Sequence, residues 1–152
     1  MKISFSAAFR TVSIALAFFC IVTRSLGADD LLALFNSSGE ATAYIAEDLT
    51  VYLWSGKPVA YLSEAKAGFH IYGFNGKHLG WFVDGVARDH QGKAVGAVAE
   101  AFTIPLTFKS YKGYRQFKPL KAFKEIAPHK PMFTDKWSHQ PFGIFLKQGA
   151  SD

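Results

Sequence analysis

The five histidines, at positions 70, 78, 90, 129 and 139, are the residues best suited to acid–base or metal chemistry. Metal ligation needs convergent donors, and no pair has the His-x-x-x-His spacing that sets two imidazoles on one helix face. Strand alternation lets His70 and Tyr72 share a face. Asp89-His90 sits where a turn begins, and local turn hydrogen bonding is its expected role. Ser, His and Asp occur without a Gly-x-Ser-x-Gly elbow, and Asp84, Asp89 and Glu100 are carboxylates that only the fold could bring together. Gly73, Gly76, Gly80 and Gly85 fall at strands and turns, with no helix opening after them to hold a phosphate. No catalytic residue, metal ligand or cofactor is therefore expected; if a reaction centre exists, His78, His90 and Asp89 are its first candidates. Trp54 and Trp81 are candidate binding residues, since exposed tryptophan in a β-repeat marks contact faces. A repeated aromatic cage would set them at equal places. They lie two residues before a glycine and five after one, which favours core or packing contacts.

Elements able to position such residues must come from a chain of 152 residues with 49% apolar and 19% charged residues, including 15 Phe, 6 Tyr and 3 Trp. That supply of buryable surface excludes disorder and suits one domain with an appendage. Lys2 and Arg10 precede the apolar run Val12–Val22, and Ser25, Gly27 and Ala28 follow it. The run is too short for a bilayer that needs about 20 helical residues, so residues 1–27 read as a cleaved signal peptide and the mature chain as periplasmic or secreted. Cys20, the only cysteine, leaves with that leader, so the mature chain has no disulfide. From Ala28 to Ile104 there are five basic and nine acidic residues, net −4; from Pro105 to Asp152 there are nine and three, net +6. The mature chain is a charge dipole.

Its first half repeats. Around Gly39, Gly56, Gly76 and Gly92 the segments read LFNSSGEATAYI, VYLWSGKPVAYL, IYGFNGKHLGWF and ARDHQGKAVGAV. A polar residue precedes each glycine and Lys usually follows, as in tight hairpin turns, with Asn75-Gly76 the strongest two-residue signal. Four residues past each glycine stands a small residue, Ala43, Ala60, Gly80 or Gly96. These imply four equivalent points where backbones approach closely around a common axis. The expected fold is all-β: eight short strands in four hairpins with approximate four-fold symmetry over residues 28–104, sharing one core.

VYLWSGKPVAYL, then IYGFNGKHLGWF, then RDHQGKAVG resembles the bacterial four-fold β-flower domain over about residues 31–100. The resemblance implies a four-petalled all-β unit without an assigned function, so no site residue follows from it.

From Phe108 an apolar residue falls at every third place (Phe108, Tyr111, Tyr114, Phe117, Leu120, Phe123, Ile126), and Lys109, Lys112, Arg115, Lys118, Lys121 and Lys124 follow the first six. A period of three winds around a helix and alternates faces on a strand, whereas an extended three-fold segment keeps it on one side. Residues 105–152 are thus expected to pack as a basic aromatic extension, apolar edge against the four-hairpin unit and cations in solvent or near petal carboxylates. The alternative is that these cations meet an external anionic surface, lipid or polysaccharide of the cell envelope, rather than nucleic acid. FGIFL at 142–146 is a final apolar element. The function read from these features is an exported non-catalytic binding or structural module, with a peripheral envelope protein or an exported hydrolase-like effector as the alternatives.

Overall fold

The computed structural model describes residues 31–108 and 111–151, so the expected signal peptide and Lys109 lie outside the described residues. Eight strands follow in chain order: β1 (Leu32–Phe35), β2 (Ala41–Ile45), β3 (Thr50–Leu53), β4 (Pro58–Glu64), β5 (Phe69–Gly73), β6 (His78–Val83), β7 (Val86–Arg88) and β8 (Ala94–Ala97). Each is antiparallel to the next, and Phe35 pairs with Ala97 across β1 and β8, closing the sheet into a barrel. The four glycine segments are the hairpins β1–β2, β3–β4, β5–β6 and β7–β8. Because every strand reverses direction, their four turns share one end of the barrel.

Those turns are not the two-residue primed turns expected of them. Each loop has three residues and ends on the glycine, at φ of 75, 88, 87 and 78° for Gly39, Gly56, Gly76 and Gly92. The glycine amides donate to the carbonyls of Asn36, Leu53, Gly73 and Asp89, three residues earlier. This is a type I turn followed by one left-handed residue, which a glycine adopts without strain. Asn75 keeps a negative φ, so Asn75-Gly76 forms no primed turn. The primed geometry occurs at Asp84-Gly85, with φ of 51 and 76°, between the paired Val83 and Val86.

Each hairpin carries one register shift at an equivalent place, just after Leu34, Val51, Ile71 and Ala87. These four pair with Ala43, Ala60, Gly80 and Gly96, the repeated small residues. The bulge leaves an extra residue on the second strand, and in three hairpins that residue, Val59, Leu79 or Val95, joins the core.

Small side chains leave the centre of the barrel open, and the end of the chain fills it. Helix α1 (Phe142–Lys147) buries Phe142, Phe145 and Leu146 in one cluster with Leu34, Ile45, Val51 and Leu62. A side chain on Gly96 would meet the Phe142 ring at 2.5 Å, and one on Gly80 the Phe145 ring at 3.4 Å as well as the Arg88 carbonyl. Two of the four small residues thus make room for phenyl rings.

Removing a ring from this centre leaves a cavity that the closed sheet cannot collapse. We expect Phe145→Ala to lower stability by about 3–5 kcal/mol in urea unfolding. Gly96→Ala should also destabilise, although Gly to Ala within a strand is otherwise favourable. Unchanged midpoints in both variants would contradict this packing.

Candidate functional site

Between Pro105 and Pro141 the described chain has neither helix nor strand and forms a strap along the petals. Its amides bond to all four turns: Thr107 to the Gly39 carbonyl, Gln116 to Gly56, Glu125 to Gly76 and Thr134 to Gly92, at 2.8, 2.9, 2.9 and 3.0 Å. These donors are nine residues apart. The carbonyls of Pro105, Tyr114, Phe123 and Met132, also nine apart, occupy the space that a Cβ on each turn glycine would need. Gly113 and Ala122, nine apart again, donate to Trp54 and Phe74. The sequence carried this signal as TFKSYKGYR, QFKPLKAFK and EIAPHKPMF, with Lys in sixth place and Gly, Ala or Pro in seventh. The three-residue period concealed it, because nine is three triplets. The strap begins and ends over the narrow β1–β8 seam, where Phe108 and Phe102 meet Phe35 edge-on at 5.3 and 6.2 Å and Trp137 packs on Phe102 at 5.4 Å.

The apolar edge of the strap faces opposite to expectation, while part of its basic row meets petal carboxylates as expected. Its cations turn inward onto a ladder of petal tyrosines. Lys112 lies 5.1 Å from the Tyr44 ring centre, Arg115 5.9 and 5.6 Å from Tyr44 and Tyr52, Lys121 4.1 Å from Tyr61, and Lys124 5.7 and 5.2 Å from Tyr61 and Tyr72. Arg115 also pairs with Glu47 at 3.3 Å, Lys118 with Asp48, and Lys124 Nζ donates to Ser63 Oγ at 2.8 Å. The apolar row faces outward: Tyr114, Phe117, Leu120, Phe123 and Ile126 are 88, 101, 93, 101 and 97% exposed. The physical reason is that the outer petal face presents aromatic rings and carboxylates, which attract cations, while the apolar face of the barrel is its interior, already filled by α1.

The histidines are brought together more closely than their spacing suggested. His70 Nδ1 lies 2.9 Å from His78 Nε2, and His78 Nδ1 lies 3.0 Å from His90 Nε2, forming a file of three imidazoles. The register does this: Tyr72 pairs with His78 and His70 with Trp81 across β5 and β6. Trp81, 2% exposed, packs edge-on against His78 at 4.8 Å and His90 at 5.7 Å, so it offers no surface contact. Asp89 is not part of the file; its Oδ1 accepts the amides of Gln91 and Lys93 in the turn. His78 is buried, and burial, with His70 and His90 beside it, lowers its pKa from 6.5 to about 4. Burial and then Lys124 lower that of His70. Among the described residues no three His, Cys, Asp or Glu converge as metal ligands. Trp54 is half-buried, edge-on to Tyr44 at 6.1 Å, and lines a notch of about 450 Å³ with Tyr111, Thr42 and Lys147.

A histidine whose pKa is depressed on folding binds its proton more readily in the unfolded chain. The stability it contributes is complete above about 6.5 and is lost as the pH falls towards 4. We expect the thermal midpoint to decline across that window and the decline to flatten in His78→Gln. An equal decline in the variant would show that other groups cause it.

The family model described as 4-fold beta flower protein matches residues 32–146, continuing past the hairpins through the strap and into α1. No curated protein and no solved structure matches the chain.

Proposed function

The chain belongs to the four-fold β-flower family, and from that premise we propose that it is an exported, non-catalytic binding module that rests on anionic lipid of the cell envelope through its strap. The observation that carries this reading is the outward row Tyr114, Phe117, Leu120, Phe123 and Ile126. Each such side chain gains about 1.5–3 kcal/mol on leaving water. Lys118, Lys121 and Lys124 alternate with the row and lie behind it, nearer the barrel. Apolar tips with cations just behind them match the acyl region and the phosphates of a lipid interface, the arrangement that interfacial amphipathic segments use. The Lys118–Asp48 pair is about half-exposed, and an ion pair so open to water contributes little, so a lipid phosphate competes with it. The apolar tips favour lipid over acidic polysaccharide, which would meet the cations alone. Export rests on the basic–apolar–small pattern of residues 1–27.

The test is co-sedimentation of Ala28–Asp152 with phosphatidylcholine vesicles containing or lacking phosphatidylglycerol, across salt. We expect binding that needs the anionic lipid and weakens with salt. Phe117→Ser with Phe123→Ser should reduce it at least tenfold while moving the unfolding free energy by no more than about 0.5 kcal/mol, since both side chains are fully exposed. Retained binding in that variant, or none by the parent chain, would refute the reading.

A further inference from the structure

Three of the four petal interfaces are built alike. A ring five places past one turn glycine meets a ring two places before the next: Tyr44 with Trp54 at 6.1 Å, Tyr61 with Phe74 at 5.6 Å, and Trp81 with His90 at 5.7 Å. The fourth interface, between β8 and the β1–β2 turn, has Ala97 and Ser37 at those places. The residue after the turn glycine departs there as well, being Glu40 where the other turns carry Lys57, Lys77 and Lys93. Phe102, Phe108 and Trp137 restore part of the missing ring volume around Phe35. A cavity of about 370 Å³ remains, lined by Ser37, Ser38, Glu40, Trp137, His139 and Gln140.

The two ends of the strap hold the walls of this cavity in place. Where the strap enters, the Ala41 amide donates to the Thr107 carbonyl at 2.8 Å and the Thr107 amide donates to Gly39 at 2.8 Å, which fixes the first turn. Within that turn Asn36 Oδ1 accepts the amides of Ser38 and Glu40, both at 3.0 Å. Where the strap returns, the Ala94 amide donates to the Lys136 carbonyl at 3.0 Å and the Ser138 amide donates to Ala94 at 2.7 Å, which fixes Trp137 beside β8. The Trp137 ring rests on Phe102 at 5.4 Å. Walls ordered in this way lose little further freedom when a ligand enters.

We propose that this cavity binds an uncharged sugar ring. Its volume falls at the small end of the usual range for ligand pockets, about 300–1,000 Å³, which suits a single pyranose rather than a polymer face. A pyranose has an apolar C–H face that an indole can cover, and hydroxyls that both donate and accept. The lining supplies one indole together with hydroxyl, carboxylate, imidazole and amide groups. An apolar ligand would leave those polar groups without partners. An anionic ligand would meet Glu40 at the place where the other three turns offer lysine. The site is separate from the outward row, which passes the second and third turns, and does not depend on lipid binding.

Amide and indole NMR of Ala28–Asp152, titrated with methyl glucoside, N-acetylglucosamine and glucuronate, tests it. We expect saturable shifts of the Ser37, Ser38 and Gln140 amides and of the Trp137 indole with the two uncharged sugars, and at least tenfold weaker binding of glucuronate. Ser37→Trp installs the ring that the second petal carries; it should fill the cavity and weaken sugar binding at least tenfold while the thermal midpoint holds. Glu40→Lys installs the cation of the other three turns; it should keep the uncharged sugars and bring glucuronate level with them. The proposal is overturned if neither uncharged sugar shifts these signals, if the shifts centre instead on the Trp54 indole and its notch, if Ser37→Trp binds as the parent does, or if the parent binds glucuronate as tightly as the glucoside.

Discussion

The whole molecule depends on a barrel that cannot fill its own centre. Bulged hairpins with Ala43, Ala60, Gly80 and Gly96 facing their partner strands bring eight short strands into closure, but they leave the axis without enough side chain. Phe142, Phe145 and Leu146 supply it from the far end of the chain. A two-stranded hairpin is marginal in water, and closure here passes through one paired position between β1 and β8, so the plug and the sheet stabilise each other. The family match ends at residue 146, within that plug, which fits a folding unit that includes the strap and not the hairpins alone.

A plug at the end of the chain requires a path to reach it, and the strap is that path. Its nine-residue repeat matches the petal repeat because each turn glycine offers one carbonyl for a strap amide and one vacant Cβ position for a strap carbonyl. The glycines therefore satisfy two demands together, a left-handed φ and a close approach of backbone. The acidic–basic division of the chain has a matching physical role. The cations belong to the strap, the tyrosine ladder and Glu47 and Asp48 belong to the barrel, and the two halves meet through several cation–ring and ion-pair contacts open to solvent. Individually these are weak. Together they orient a segment that has no secondary structure of its own, and in doing so they turn its apolar row to the outside.

The same inward orientation joins the histidine file to the strap. His78 is held neutral by burial between aromatic rings, and its amide and the Tyr72 hydroxyl both reach Glu125. A buried histidine and an exposed apolar row thus lie on adjoining stretches of the molecule, connected through Glu125.

Periodicity alone determined the hairpin unit: four spaced glycines and small residues four places on specify four hairpins around an axis, because turn and strand geometry are local. The closing apolar element at 142–146 was legible as apolar, but its place was not, since nothing local states that the barrel is hollow. The turn type was misread at Asn75-Gly76, where a three-residue loop needs left-handed geometry only at the glycine. A segment with apolar and basic residues in fixed alternation has two faces and no hydrogen-bond pattern to choose between them. That choice came from the outer petal surface, which exists only after β2–β5 have paired and stacked Tyr44 on Tyr52 and Tyr61 on Tyr72. The histidine file likewise depended on strand register, which brings together residues eight and twelve apart that no motif connects. Local patterns are settled by backbone geometry within a few residues; facing and convergence are settled by which surfaces remain once the sheet has closed.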